Sequence, residues 1–104
     1  MLLLDEPTLH LDISHQFDLM DLCREIARKR DVLIVVVTHD LQLAARYCDK
    51  VVVMRRGEIV SLGPAREAIT ESMIRDVFHM DSRVSYDETI DGVNILLIGR
   101  SRPS

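Results

Sequence analysis

The sequence contains no tryptophan, and aromatic residues make up only 4% of its 104 positions. Proteins that bind single-stranded nucleic acids by stacking bases depend on aromatic side chains, so this composition argues against that class. The formal net charge is −4, from 13 basic and 17 acidic residues, which argues against a general affinity for a phosphate backbone. We therefore expect no nucleic-acid partner.

Long apolar runs and targeting signals are also absent. No apolar run approaches the roughly 18 residues of a membrane span. The first residues turn acidic at Asp5 and Glu6, without the basic region that opens a signal peptide. The two cysteines, Cys23 and Cys48, have no CxxC spacing and lie on the apolar faces of predicted helices. These features favour a cytosolic chain with buried free thiols, and the length suits one small domain.

Two short apolar runs each end in residues that can carry chemistry. Leu2 to Leu4 are apolar on both sides of the pleat and precede Asp5 and Glu6, while the β-branched run Val32 to Val37 precedes His39. Both runs predict strands buried on both faces, as in parallel sheets. A helix-length segment between them would make the strands parallel and place their carboxyl ends at one edge, where ligands bind in open α/β folds. We therefore expect Asp5, Glu6 and His39 to meet there.

The intervening segment predicts a helix that Asp12 caps and that ends at the basic triplet 28–30. Its apolar positions recur at helical spacing: Ile13, Phe17, Met20, Cys23 and Ala27. We expect His15 and Gln16 on its exposed side. A second helix follows Asp40, with a predicted inner face of Leu41, Ala44, Ala45 and Cys48.

The rest of the chain predicts a β-hairpin, two short helices and a second pair of strands. Runs 51–54 and 59–62 flank a turn in which Gly57 supplies a positive φ. One short helix begins near Pro64, and Thr70 caps the next, whose inward residues are Met73, Ile74, Val77 and Phe78. A weak strand near Val84 and a stronger one at 93–98 follow, and we expect 100–104 to be frayed. The succession predicts an α/β layer architecture with a largely parallel sheet, flanking helices and a hairpin.

Two adjacent carboxylates after a buried strand can divide the work of nucleotide hydrolysis. In P-loop nucleotide hydrolases, a carboxylate here holds Mg²⁺ while a second group positions the attacking water. We assign Asp5 to magnesium and Glu6 to general base. The dipeptide alone favours a simple strand end, but the preceding strand and the following Pro7-Thr8 reverse this and favour the catalytic interpretation.

These residues resemble the motifs of ATPases of the ABC-transporter family. The run Leu2-Leu3-Leu4-Asp5-Glu6-Pro7-Thr8 looks like their Walker B motif, Leu11-Asp12 like the end of the D-loop, and Thr38-His39-Asp40 like the switch-histidine motif. Residues 10–16 and 39–49 look like the subfamily serving iron-siderophore, haem and cobalamin importers. The resemblance covers residues 1–80 and leaves 81–104 as a C-terminal extension with a strand at 93–98.

The resemblance implies a function and a set of roles. Glu6 would polarise the water that attacks the γ-phosphate of ATP, His39 would contact that phosphate, and Asp5 would hold Mg²⁺. Asp12 would lie at the interface of a head-to-tail dimer with a second ATP-binding subunit. The subunit would attach to membrane permease subunits on the cytoplasmic side of the cell membrane and couple ATP hydrolysis to uptake of iron-siderophore, haem or cobalamin.

The sequence also departs from the family pattern. It contains no GxxxxGKS/T phosphate loop, no glutamine loop and no LSGGQ-type signature, all of which would lie before residue 1. We therefore expect the C-terminal portion of such an ATPase, a P-loop NTPase, inactive alone and of marginal stability.

Other interpretations remain open at this point. The chain could be a non-catalytic fragment or a regulatory or dimerisation module of an ABC ATPase. It could also belong to an ABC ATPase that acts on ribosomes or in DNA repair without a permease, although the subfamily-like segments speak against this. His10, Asp12 and His15 are close enough to suggest a metal site, but a helix would separate the two histidines.

Overall fold

The computed structural model describes residues 1–102. In chain order, its elements are β1 (Leu2–Asp5), α1 (Ile13–Arg30), β2 (Ile34–Val37), α2 (Leu41–Tyr47), β3 (Lys50–Arg55), β4 (Glu58–Pro64), α3 (Ala65–Ala68), α4 (Glu71–Phe78), β5 (Met80–Asp87) and β6 (Gly92–Arg100). The chain forms two compact units, Met1–Leu41 and Gln42–Ser104. This division by compactness does not test the predicted domain boundary at residue 80.

The first unit is a parallel strand pair connected by a long helix. β1 and β2 pair in parallel, with Leu2 opposite Ile34 and Asp5 opposite Val37. Helix α1 begins where predicted, because the Asp12 carboxylate accepts a hydrogen bond from the His15 backbone N–H at 2.9 Å. Its last turn carries the basic triplet 28–30, and Asp31 closes it in the left-handed conformation, with φ 51°. The α1 connection therefore brings the carboxyl ends of both strands to one edge.

The predicted burial of both strands on both faces is wrong. Leu3, Val35 and Val37 lie on one face of the pair and are 60%, 36% and 48% exposed. The pair has only two strands, and the described residues leave this face open to solvent. The second strand also starts at Ile34 rather than Val32, because the Val32 N–H is bonded to the Ala27 carbonyl at the end of α1.

The predicted apolar stripe of α1 is buried only in its middle. Met20 and Cys23 are buried, whereas Ile13 is 72% exposed. The apolar stripe therefore predicts the helix correctly. The first turn of the helix is exposed, because none of the described residues packs over Ile13.

The second unit begins with α2 and the predicted β-hairpin. β3 and β4 are antiparallel, with Arg55 opposite Glu58. The two loop residues, Arg56 and Gly57, have φ values of 52° and 79°. A two-residue loop with positive φ at both positions is a type I′ turn, whose twist matches that of the flanking strands. The predicted positive φ at Gly57 is confirmed.

The helices that follow form the core of this unit. Thr70 caps α4 as predicted, since its hydroxyl accepts from the Met73 N–H at 3.1 Å. Ile74 on α4 is fully buried, and Ile69 is 1% exposed. Ser61 of β4 donates its hydroxyl proton to the Ala68 carbonyl at 2.8 Å, which fixes the end of α3 against the hairpin.

The inner face of α2 differs from the prediction. Its buried residues are Leu43, Ala45 and Tyr47, of which only Ala45 was predicted, whereas the other predicted inner residues, 41, 44 and 48, are only partly buried. A helix of seven residues has two turns at most, so apolar spacing does not define its buried face. Gln42 anchors it by donating its side-chain amide to the Ile95 carbonyl.

The chain ends in a second antiparallel pair. β5 and β6 run together from Met80 opposite Arg100 to Asp87 opposite Gly92. The expectation of frayed residues is wrong at Arg100, which is paired, and at Ser101, whose N–H donates to the His79 carbonyl at 2.9 Å. Residues 103 and 104 lie outside the described part. Of the three two-stranded sheets in residues 1–102, one is parallel, so the α/β class holds while a largely parallel sheet does not.

Candidate functional site

The candidate site lies at the edge where β1 and β2 end. The Glu6 N–H donates to the Val37 carbonyl at 2.7 Å and extends the strand pairing one residue beyond Asp5. The segments that follow the two strands therefore leave the sheet side by side. This places the residue after Asp5 next to the segment that contains His39.

The structure brings the side chains of Glu6 and His39 into direct contact. The Oε1 atom of Glu6 lies 2.6 Å from the Nδ1 atom of His39. An ionised carboxylate only accepts hydrogen bonds, so Nδ1 donates and the second ring nitrogen, Nε2, is left for another partner. The Glu6 side chain is 25% exposed and that of His39 is 91% exposed. The pair therefore combines a partly buried carboxylate with an exposed imidazole.

A cleft of about 410 Å³ opens beside this pair. Its walls come from the two segments that follow the strands and from the start of α1: Glu6, Thr8, Leu9, His10, Gln16, Thr38, His39 and Asp40. The Thr38 hydroxyl accepts from the Asp40 N–H at 3.0 Å, which turns the chain sharply around His39. Both segments contribute polar side chains to the lining, Glu6 from the first and Thr38 and His39 from the second.

The loop after Glu6 has an unusual backbone. Glu6 and His10 have φ values of 48° and 71°, a region that residues other than glycine seldom adopt. Such conformations persist where the surroundings hold them, often at functional sites. The Leu11 N–H donates to the Thr8 carbonyl at 3.1 Å, and Thr8 is only 5% exposed. This hydrogen bond and the burial of Thr8 hold the turn in place.

Gln16 is a member of the site that sequence reasoning missed. We expected it on the exposed side of α1. Instead it is partly buried, and its side-chain amide donates to the Leu11 carbonyl at 3.1 Å and lies 3.5 Å from the Thr8 carbonyl. It ties the loop to the first turn of α1. The sequence does not predict this contact of the Gln16 side chain, because its partners are backbone carbonyls, which every residue has.

Asp5 lies close in sequence but outside the lining of the cleft. It is the exposed last residue of β1, opposite Val37. Within residues 1–102 no group of three or more His, Cys, Asp or Glu side chains forms a metal cage. Magnesium typically keeps several waters and binds through one or two carboxylates together with substrate phosphates. The exposed carboxylate of Asp5 at this edge fits that mode of binding.

The Asp12 carboxylate is engaged in helix capping. It accepts from the His15 backbone N–H and from the Ser14 hydroxyl at 3.0 Å, and it also lies 3.0 Å from His15 Nδ1. The backbone bond from His15 is the main cause that lowers the pKa of Asp12, and the Ser14 bond adds to it. Capping of α1 therefore accounts for the proximity of the Asp12 carboxylate and the His15 imidazole.

Comparison with curated proteins gives a consistent set of relatives. No protein-family model matches the chain. The chain is 41% identical over 87 residues to the petrobactin import ATP-binding protein FpuD of Bacillus anthracis, a match that covers 84% of this chain and 32% of the relative. It is 36% identical over 104 residues to the ferric enterobactin transport ATP-binding protein FepC of Escherichia coli, covering 100% and 38%. The hemin import ATP-binding protein HmuV of Shewanella denitrificans is 42% identical over 83 residues, covering 80% and 33%.

A solved structure supports the fold. A chain of a metal-chelate type ABC transporter in an inward-facing conformation matches with a TM-score of 0.79 and 20% identity, over 92% of this chain and 39% of that chain. At this identity the likeness concerns the fold alone. The chain spans about a third of the length of the curated relatives it matches. Within residues 1–102, none of the helices combines the length and apolar character that crossing a membrane requires.

Proposed function

We propose, on the premise that the chain belongs to the family of ATP-binding subunits of ABC transporters, that it forms the hydrolytic edge of such a subunit. The observation that carries the proposal is the 2.6 Å contact between Glu6 and His39 at the ends of two parallel strands. In this proposal the subunit couples ATP hydrolysis to import of an iron-siderophore, haem or cobalamin. The relatives named for petrobactin, ferric enterobactin and hemin support the siderophore and haem part of that range.

Glu6 and His39 divide the work of hydrolysis in this proposal. The contact occupies Oε1 of Glu6 and leaves Oε2 to accept a proton from the attacking water. His39 donates from Nδ1 to Glu6, and donation from its exposed Nε2 side to the terminal phosphate requires the imidazolium form, in which both ring nitrogens carry a proton. Fixing both groups before the ligand arrives reduces the reorganisation needed in the transition state.

Asp5 is the residue that would hold Mg²⁺, directly or through water. The ion would neutralise charge on the phosphate oxygens of ATP. Because Asp5 and Glu6 are consecutive and Glu6 has a positive φ, the chain turns between them and their carboxylates serve different partners. Asp12, exposed at the start of α1, is proposed to face a second ATP-binding subunit in a head-to-tail dimer.

The proposed partners follow from the same family. The subunit would act on the cytoplasmic face of the cell membrane, attached to permease subunits. A stretch of 104 residues without a GxxxxGKS/T motif lacks the backbone amides and lysine that hold the phosphates. We therefore propose that these residues by themselves do not turn over Mg-ATP. The second candidate, a non-catalytic or dimerisation module, rests on the same missing motif.

A segment exchange tests the proposal. Residues 1–104 replace the aligned segment of FepC, which matches this chain over its full length. Mg-ATP turnover and enterobactin-dependent growth are then measured, with the isolated chain assayed beside it. Glu6→Gln is expected to lower turnover of the exchanged protein by about 10²–10⁴. Glu25→Gln, an exposed α1 carboxylate paired with Lys29, is the matched control and should leave turnover unchanged.

Two outcomes would refute the proposal. One is turnover in the Glu6→Gln protein within about tenfold of the parent, since a positioned base contributes more than that. The other, which concerns the inactivity of the isolated residues, is measurable Mg-ATP turnover by the 104-residue chain. An exchanged protein that folds and binds ATP but neither hydrolyses it nor supports growth would favour the non-catalytic module.

A further inference from the structure

The second unit contains a cleft of about 1030 Å³ that is separate from the residues of the hydrolytic edge. Four arginines line it, and we call it the arginine cleft: Arg55 from β3, Arg75 from α4, Arg100 from β6, and Arg102. Arg55, Arg75 and the neighbouring pair of Arg100 and Arg102 come from three parts of the sequence. They line one cleft because β3, α4 and the end of β6 adjoin it. Neither the family motifs nor the proposed hydrolysis uses any of these residues.

The charge of the arginine cleft contrasts with that of the chain. The only carboxylate among its described lining residues is Asp76, so four guanidinium groups and one carboxylate give a formal charge of +3, with His79 neutral. The whole chain carries −4, and subtracting +3 leaves −7 for all other residues. A basic cleft on an acidic chain concentrates anions locally and selects against cations.

Two of the guanidinium groups are held in place by the protein. Arg55 donates from Nη1 to the Asp76 backbone carbonyl at 2.9 Å, and Arg75 donates from Nε to Asp81 Oδ1 at 3.1 Å. A guanidinium has five N–H donors, so each retains donors for a ligand. These contacts fix the side chains and reduce the conformational entropy that binding would cost.

The other two guanidinium groups have no carboxylate within 4.0 Å among residues 1–102. Their backbone is nevertheless anchored, because Arg100 pairs with Met80 and the Ser101 N–H donates to the His79 carbonyl at 2.9 Å. The cleft therefore has two guanidinium groups held by hydrogen bonds, those of Arg55 and Arg75, and two without a carboxylate partner among the described residues, those of Arg100 and Arg102.

We propose that the arginine cleft binds a ligand that carries phosphate groups with two or more negative charges. A planar guanidinium fork binds two oxygens of a phosphate bidentately. A phosphate group has further oxygens for a second guanidinium, whereas a carboxylate has only two oxygens in all. The phosphate has two possible sources, a free polyphosphate and the headgroup of an anionic phospholipid. Both present the same chemistry to the arginines, and the experiment distinguishes them.

The test compares two double variants of the 104-residue chain. Arg100→Gln with Arg102→Gln removes two guanidinium groups of the arginine cleft, while Arg66→Gln with Arg83→Gln removes two exposed arginines of the same unit that lie outside the cleft. Circular dichroism first confirms that both variants fold like the parent. Pyrophosphate binding is measured by calorimetry. Vesicle binding is measured by sedimentation with phosphatidylglycerol vesicles, with phosphatidylcholine vesicles for comparison.

The expected result is saturable binding in at least one arm, weakened about fivefold or more by the cleft variant and by less than about twofold by the control. Binding of pyrophosphate without vesicles identifies a free polyphosphate, and the reverse identifies a lipid headgroup. Equal weakening by both variants would overturn the proposal, because the effect would then follow net charge alone. So would the absence of binding below about 10 mM in both arms. The proposal does not depend on the hydrolytic assignment, and Glu6→Gln is expected to leave this binding unchanged.

Discussion

The contact between Glu6 and His39 is expected to contribute little to the stability of the fold. The two side chains are 2.6 Å apart, but the His39 side chain is 91% exposed. Two unit charges about 4 Å apart in bulk water interact by only about 1 kcal/mol, and salt at 0.1 M screens exposed charges within about 10 Å. We therefore expect a coupling free energy below about 1 kcal/mol. Fold stability therefore gives little reason for this pair, which agrees with its proposed role towards a ligand.

A double-mutant cycle measures this coupling. Urea unfolding is followed by circular dichroism for the parent chain, Glu6→Gln, His39→Ala and the combined variant, and the non-additive part of the unfolding free energy is the coupling. A parallel cycle at 1 M NaCl should reduce it further. A coupling above about 2 kcal/mol that persists in high salt would refute the reasoning, since only a desolvated, structural pair reaches that size.

Three further predictions concern the elements that support the two units. Ile74→Ala should lower the unfolding free energy by about 2–5 kcal/mol, because it opens a cavity at a fully buried position; a loss below about 1 kcal/mol in urea unfolding would contradict this. Thr70→Ala should cost about 1 kcal/mol by removing the cap of α4, whereas Ser85→Ala on the exposed side of β5 should cost far less in the same assay. The pKa of Asp12 is lowered by the His15 backbone N–H, so its contribution to stability is complete above the ordinary value of 3.8 and is lost as pH falls through the lowered pKa. Melting temperatures measured from pH 2 to 6 should therefore fall less for Asp12→Asn than for the parent chain, and identical slopes would argue against this cap.

Local structure was largely predictable from the sequence. The hairpin turn at Gly57 and the caps at Asp12 and Thr70 rest on backbone conformations and hydrogen bonds within a few residues, so local sequence determines them. The juxtaposition of Glu6 and His39 was also predictable, although 33 residues separate them. It follows from topology, because a helix between two parallel strands places both carboxyl ends at one edge. The functional roles assigned to these residues stay predictions.

Burial and long-range pairing were less predictable. The run 32–37 has the composition of a strand buried on both faces, yet Val37 is 48% exposed, because burial depends on which elements cover a face and not on the strand itself. The arginine cleft has no sequence signal, since its residues come from three separate elements. Gln16 likewise escaped notice, because its partners are backbone carbonyls, which every residue possesses.

The left-handed backbone at Glu6 lowers the stability of the fold, while the proposed chemistry needs the glutamate carboxylate at that position. A side chain in that conformation is strained by roughly 1–2 kcal/mol relative to glycine, which adopts it freely. Laboratory evolution that selects only for heat resistance would thus be drawn to glycine at this position, and would discard the carboxylate. Keeping glutamate at this strained position fits the proposed role of its carboxylate, and thermostabilised variants are best screened for a Glu6→Gly exchange before their turnover is assayed.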